Sequence, residues 1–140
     1  MSKKTVLILC THNSARSQLA EGLLNVFHGT KFTAFSAGTK PSRVNPFAVK
    51  ALAEIGIDIS AHTSKHVKDF VGKPLDIVIT VCDNAKEECP YFPGVKTVIH
   101  HSFKDPSAET GNDAAKLAVF RKTRDEIKEW LEKDFVNKYR

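Results

Sequence analysis

The sequence predicts a single α/β domain, residues 1–140, in which a parallel sheet carries helices on both faces. Three observations predict it. A chain of 140 residues buries enough surface for one core and rarely divides into two. Its strand candidates are short, continuous apolar runs rich in β-branched residues, the pattern of strands covered on both faces. Those runs alternate with amphipathic segments, which is how the strands of a parallel sheet are connected.

Thr5 to Leu9 (TVLIL) is the first such run, and it ends at Cys10. From Ser17 onward Leu19, Leu23 and Phe27 recur every four residues with Ala20 and Leu24 beside them, a helix stopped by Gly29. Lys31 to Ala37 reads as a second strand, closed by Gly38 and Pro41. Asn45-Pro46 then offers an N-cap with proline at the first helical position, where its missing N–H costs nothing, and this helix runs to Gly56. Thr63 to Val71 reads as a further short helix capped by Gly72. Pro74 introduces Leu75 to Val81 (LDIVITV), a buried-type strand ending at Cys82, and Val95 to Ile99 is the fourth strand. From Asn112 to the C-terminus, Leu117, Phe120, Ile127, Leu131 and Phe135 share one face of an amphipathic helix.

Composition narrows the function. With 41% apolar and 26% charged residues, 7 Gly and 6 Pro, the chain is neither collagen-like nor disordered nor of low complexity. No apolar run approaches the roughly 20 residues that cross a bilayer, and Val6 to Leu9 is too short for a signal-peptide core. A cytoplasmic protein without a membrane partner is expected, and a monomer. The net charge of +5 is modest, and basic residues are not interleaved with aromatics, so a nucleic-acid surface is not expected. Three cysteines, Cys10, Cys82 and Cys89, are an odd number, which argues against a secreted disulfide scaffold and leaves catalysis, redox chemistry or a metal. A metal has least support, because no Cys-x2-Cys or matched histidine spacing occurs. No cofactor is expected. His100-His101 are neighbours on a strand and point to opposite faces, so they read as surface residues that cannot converge on a ligand.

Cys10 and Cys82 both stand where strands end, and in parallel α/β sheets ligands bind beyond the carboxyl ends of the strands. Between Cys10 and the next helix lie Thr11, His12, Asn13, Ser14 and Ala15, followed by Arg16 and Ser17. A short loop entering a helix can turn successive N–H groups inward as an anion nest, with the helix dipole adding positive potential. Arg16 can fork onto two oxygens of a tetrahedral oxyanion. The same field is expected to depress the pKa of Cys10 and make it nucleophilic, with Ser17 donating to its sulfur. Asn13 suits a left-handed turn within the loop. The side chain of His12 is expected to point away from the anion.

Over nearly its whole length the chain resembles the thioredoxin-coupled arsenate reductases, which share the fold and anion loop of low-molecular-weight protein tyrosine phosphatases. The resemblance rests on Cys10-Thr11-x-Asn13-Ser14-x-Arg16-Ser17-Gln18, Ser36-Ala37-Gly38, Asn45-Pro46, Gly56-Ile57-Asp58-Ile59-Ser60 and Asp105-Pro106. It implies a four-stranded parallel sheet, Cys10 as nucleophile and Asp105 as the acid that protonates the departing oxygen. The loop alone serves reductase and phosphatase equally. Aromatic residues typically follow the Asp-Pro pair in the phosphatases, whereas Ser107-Ala108 follow here, which weakens an aryl-phosphate substrate.

Cys82 and Cys89 add a second discriminator. A reductase must supply two electrons and pass on the resulting disulfide, which a phosphatase need not do. The resemblance implies that Cys10 forms a thiol–arsenate adduct, Cys82 attacks Cys10 to expel arsenite, and Cys89 attacks Cys82. Thioredoxin would then reduce the Cys82–Cys89 disulfide. Bridged cysteines need Cα atoms within about 7 Å, whereas regular helix would hold these two about 10 Å apart along its axis. The Asp83 to Tyr91 segment is therefore expected to rearrange on oxidation, between stops at Pro90 and Pro93-Gly94. A phosphatase using Cys10, Arg16 and Asp105, or a non-catalytic oxyanion or redox sensor, remains open. Some relatives hold potassium behind the loop with side chains matching Asn13, Glu21 and Ser36 and an aspartate at position 65. Here Lys65 stands at that position, and it is expected to substitute for the ion by contacting Glu21 or the Asn13 region.

Overall fold

Four short strands, β1 (Lys4–Cys10), β2 (Phe32–Gly38), β3 (Ile77–Thr80) and β4 (Thr97–His100), pair in parallel in the order β2-β1-β3-β4. The structure is a computed structural model describing residues 3–82 and 92–139. β1 is central, and on it Val6, Leu7, Ile8 and Leu9 are all 0% exposed, so both of its faces are covered. Each fully buried Leu or Ile side chain contributes about 1.5–3 kcal/mol to folding. From β1 the chain passes first to one neighbour, β2, and later to the other, β3, so the crevice where the order reverses opens at the carboxyl end of β1.

Helix α1 (Arg16–Phe27) buries Leu19, Leu23 and Leu24, and α2 (Pro46–Ala53) starts where Asn45 Oδ1 accepts the Phe47 N–H at 2.8 Å. The long C-terminal helix α3 (Asp113–Trp130) is capped by Asn112, whose Oδ1 accepts from Ala115 N at 2.9 Å. It passes through a π-helical turn (Leu131–Phe135) into α4 (Val136–Tyr139). Arg124 fastens α3 to α2 by donating to the Ala51 carbonyl at 2.8 Å and to Glu54 at 3.1 Å. The outer edge of β2 is closed by Asn25, whose amide accepts from Ala34 N at 2.8 Å and donates to Ala34 O at 3.0 Å. That edge therefore offers fewer free backbone groups to another strand.

Several expectations change. The helix expected over Thr63 to Val71 is only a 3₁₀ turn, Val67–Phe70. The residues before it are extended because the Lys65 carbonyl accepts from Gly38 N at 2.8 Å and His66 bridges to Gly38, which carries this stretch alongside the end of β2. The helix expected to run to Gly56 stops at Ala53, and Gly56 takes a left-handed φ of 84° that lets Ile57 N reach back to the Leu52 carbonyl at 3.0 Å. Cys89 and the rest of the Asp83 to Tyr91 segment lie outside the described residues.

His100 and His101 reach different partners, and neither is the surface residue expected. His100 Nδ1 lies 2.8 Å from Thr80 Oγ1, and the His101 ring stacks on Trp130 with centroids 4.7 Å apart and planes 24° from parallel. The flanking aromatic rings leave His101 half-buried, and burial lowers its pKa below the ordinary 6.5, with Asp134 opposing and His100 adding to the depression. A folded-state depression means that the unfolded chain takes up the proton first as pH falls. The contribution is complete above 6.5 and is lost as pH drops through the folded-state value below it. His101→Phe keeps a flat ring and removes the proton site. Urea midpoints measured from pH 7.5 down to 5.0 are expected to fall less steeply in this variant than in the wild type, and parallel slopes would contradict the assignment.

Candidate active site

The loop from Thr11 to Ala15 is defined by where its carbonyls go. Thr11 O accepts from Lys40 N at 2.8 Å, His12 O from Ser42 N at 3.2 Å, Ser14 O from Asn45 N at 2.9 Å and Ala15 O from Leu19 N at 2.9 Å. Two side chains add to this, Ser64 Oγ donating to His12 O at 2.9 Å and Gln18 Nε2 to Asn13 O at 3.1 Å. Every carbonyl of the loop is thus drawn outward. Among the described residues the N–H groups of His12 to Ala15 donate to no backbone carbonyl, leaving them for the concave side, at the N-terminus of α1. The turn is made by Asn13, the one non-glycine described residue with positive φ, at 49°. It is fully buried, donating to Ser17 Oγ at 2.9 Å and accepting the Lys65 N–H at 2.9 Å.

Gly38 lies opposite Cys10 in the β1–β2 register. A Cβ there would stand 2.4 Å from Thr11 O and 2.9 Å from Asn13 N, so only glycine lets the loop sit this close to β2. His12 is exposed, with Nδ1 held 3.0 Å from the Lys40 carbonyl.

Cys10 and Cys82 are both buried. Their thiols are hydrogen-bonded to each other, and Thr11 Oγ1 lies 3.3 Å from Cys82 Sγ. Contrary to the expected depression, the Cys10 pKa is pushed well above the ordinary thiol range. The hydrogen bond to Cys82 is the first cause and burial the second, while the Arg16 charge and the Thr11 N–H act in the opposite sense. Two contacting sulfurs cannot both ionise, so Cys10 holds its proton within the pair. Ser17, expected to donate to this sulfur, is not among its partners and instead accepts from Asn13.

Arg16 Nη1 donates to the Phe103 carbonyl at 2.9 Å, and Nη2 faces Asp105 Oδ2 at 3.6 Å. Its Nε is buried and has no partner among the described residues. A buried guanidinium donor left unmatched at the mouth of an N–H nest is what one oxygen of a tetrahedral anion would satisfy. Asp105 caps a 3₁₀ turn, Pro106–Ala108, its Oδ1 accepting from Ser107 N at 3.0 Å and Ser107 Oγ at 2.7 Å. Buried Pro106 anchors that turn and leaves Oδ2 turned toward Arg16.

Behind the loop, Glu21 is buried and accepts from Ser36 Oγ at 2.5 Å. His62 Nε2 is 3.3 Å from its other oxygen, and Lys65 Nζ is 3.8 Å from Oε1 while donating to Thr63 O at 2.8 Å. Gln18, 0% exposed, joins the groups by donating to Asn13 O and Thr63 O and facing His62 Nδ1 at 3.0 Å. The structure therefore gathers Cys10, Cys82, Arg16 and Asp105 on one side of the loop and Glu21, Ser36 and Lys65 behind it. Gln18, His62, Ser64, Lys40 and Asn45 were not anticipated as loop supports. Gln18 and Asn45 belong to recognisable motifs, whereas His62 and Ser64 carry no sequence signal.

A profile of the low molecular weight phosphotyrosine protein phosphatase family matches residues 5–137. An arsenate reductase of Halalkalibacterium halodurans is 46% identical over 127 residues, covering 91% of each chain. Among solved structures, an arsenate reductase in its phosphate-binding state superimposes with a TM-score of 0.81 at 32% identity, over 96% of this chain and 98% of the other. A thioredoxin-dependent arsenate reductase of Corynebacterium glutamicum does so with a TM-score of 0.66 at 28% identity, over 93% of this chain and 61% of that one.

Gly38→Ala is expected to weaken inorganic phosphate binding about tenfold and to destabilise the fold by about 1–3 kcal/mol, since the loop must yield to the new methyl group. Isothermal titration and urea unfolding check this, and wild-type affinity in the variant would contradict it.

Proposed function

Because the chain belongs to the low molecular weight phosphotyrosine protein phosphatase family, we propose on that premise that it is an arsenate reductase, converting arsenate to arsenite. The observation that carries this reading is the second buried thiol, Cys82, hydrogen-bonded to the Cys10 thiol beside the unmatched Nε of Arg16. Hydrolysis of a phosphate ester has no use for that sulfur. Reduction of a bound oxyanion does, because the attacking thiol must be within reach of the adduct sulfur.

The reaction proceeds in three exchanges. Arsenate enters the N–H nest, with Arg16 on its oxygens, and the Cys10 sulfur attacks arsenic. One arsenate hydroxyl departs as water; Asp105 supplies its proton and recovers one from the Cys10 thiol. Cys82 then attacks the Cys10 sulfur. An S–S bond forms, the As–S bond breaks, and its electron pair stays on arsenic, which leaves as arsenite two electrons reduced. Cys89 attacks Cys82 and frees the Cys10 thiol, and the Cys82–Cys89 disulfide passes to thioredoxin, as the thioredoxin-dependent structural relative suggests.

The loop supports have a distinct task. Asn13 and Ser17 hold the turn, while Glu21 and Ser36 form its anionic backing, with the Lys65 ammonium 3.8 Å from the carboxylate. A potassium ion does not fit beside that ammonium, since two cations would share one carboxylate. Lys65 therefore takes the place of the ion, and loop order is independent of potassium.

Three outcomes are expected. With arsenate, Cys89→Ser accumulates a Cys10–Cys82 disulfide, visible by intact-mass and peptide mapping, while Cys82→Ser stops at the adduct and Cys10→Ser gives neither; arsenite release by Cys82→Ser would overturn the relay. Asp105→Asn slows adduct formation about 100-fold or more in single turnovers without a comparable loss of phosphate affinity, and an unchanged rate would remove Asp105 from the reaction. Melting temperature and turnover of the wild type match in potassium and choline salts at equal ionic strength, whereas Lys65→Asp gains potassium dependence; potassium-specific stabilisation of the wild type would refute the substitution.

A further inference from the structure

The aromatic cluster under the acid-bearing loop has no part in the chemistry above, yet it leads directly to Arg16. Phe103 follows β4 and is buried, its N–H donating to the Val81 carbonyl at 3.1 Å. Its neighbours Ser102 and Lys104 are exposed, so among the side chains here its ring is what anchors this stretch, beside that backbone hydrogen bond. That ring packs 4.8 Å from His101 and edge-on to Trp130 at 6.0 Å, 76° between planes. His101 is itself stacked on Trp130 at 4.7 Å and tied to the sheet by its N–H on the Thr80 carbonyl at 2.9 Å. Trp130 is the last residue of α3, where the π-helical turn starts, and it leans on Phe135 at 5.9 Å, which in turn packs on Phe32 and Tyr139. A π turn is an uncommon element that recurs at functional sites.

The other end of Phe103 is the carbonyl that accepts Arg16 Nη1 at 2.9 Å. A guanidinium is a rigid plane, so fixing one of its nitrogens fixes the direction of the rest. Here the nitrogen left unmatched among the described residues is the buried Nε. We propose that His101 and Trp130 are positioning residues for oxyanion binding: their stack immobilises Phe103, whose carbonyl aims Arg16 so that Nε stands ready for an anion oxygen. This rests on the oxyanion-binding reading of the loop and goes beyond it, because neither residue touches the anion. It also gives the His100-His101 pair a division of labour, one ring on the sheet at Thr80 and the other on Trp130.

Trp130 is the only tryptophan of the chain, so its emission reports on the stack. Inorganic phosphate is titrated into the reduced wild type, His101→Phe and His101→Ser, following heat by calorimetry and Trp130 emission. Phosphate is expected to alter Trp130 emission in the wild type. H101S is expected to bind phosphate about fivefold or more weakly, as a hydrogen bond to a charged group is loosened, while H101F, which restores a flat ring, stays within about twofold of the wild type. A general loss of stability would not be rescued in this way at temperatures where all three are folded. Wild-type affinity in H101S, or equal weakening in H101F and H101S, overturns the positioning role alone. If H101S does not fold, the wild-type emission still decides: bound phosphate that leaves Trp130 emission unchanged overturns the coupling. A wild type that binds no phosphate overturns the oxyanion site and this proposal together.

Discussion

The outward pull on five consecutive carbonyls, Thr11 to Ala15, is the constraint on which the site depends. Backbone N–H and C=O groups must be paired or presented to something that can pair them, and here the carbonyls find partners in Lys40, Ser42, Ser64, Gln18, Asn45 and Leu19. With the carbonyls committed outward, the N–H groups have one direction left. The arrangement draws on three separate parts of the chain, so the nest is a product of the tertiary fold rather than of its own few residues. It also explains why one position of β2 must be glycine and why one turn residue must tolerate a positive φ.

Electrostatics at Cys10 are a contest between that nest and the neighbouring sulfur. The Arg16 charge and the Thr11 N–H favour a thiolate on Cys10, while the shared hydrogen bond with Cys82 and burial favour the thiol, and the latter pair prevails. A lone nucleophile would gain from the nest in full. Cys10 gives up part of that gain through its contact with the second sulfur. Arg16 stands at the junction of these demands, meeting the Asp105 carboxylate with one nitrogen and the Phe103 carbonyl with another.

Much of the fold was legible because buried parallel strands leave a plain mark. The β-branched runs at Thr5 to Leu9 and Leu75 to Val81 contain strands, the cysteines do follow them, and the Asn45-Pro46 and Asn112 helix starts stand where the capping rules put them. What misled were features decided at a distance. Nothing local in Thr63 to Val71 tells that its backbone will be taken by Gly38, 27 positions before Lys65. The partners that draw the two histidines from solvent, Thr80 and Trp130, come from other elements. The proton affinity of Cys10 departs from its local reading for the same reason. The loop's field can be read from Cys10 to Ser17, but the opposing hydrogen bond comes from Cys82 at the end of a different strand. Gln18 shows the reverse case, a motif residue whose role becomes plain only when its amide is seen joining Asn13, Thr63 and His62.

With a second thiol beside it, this anion trap is suited to electron transfer to the bound oxyanion and not to hydrolysis. This is tested most directly by following NADPH oxidation in the presence of thioredoxin, thioredoxin reductase and limiting arsenate, with an aryl phosphate offered to the same enzyme in parallel. One NADPH is expected to be consumed for each arsenate added, with arsenite as the product and far slower release of phenol from the ester. Efficient ester hydrolysis with no arsenate-dependent loss of NADPH would contradict it.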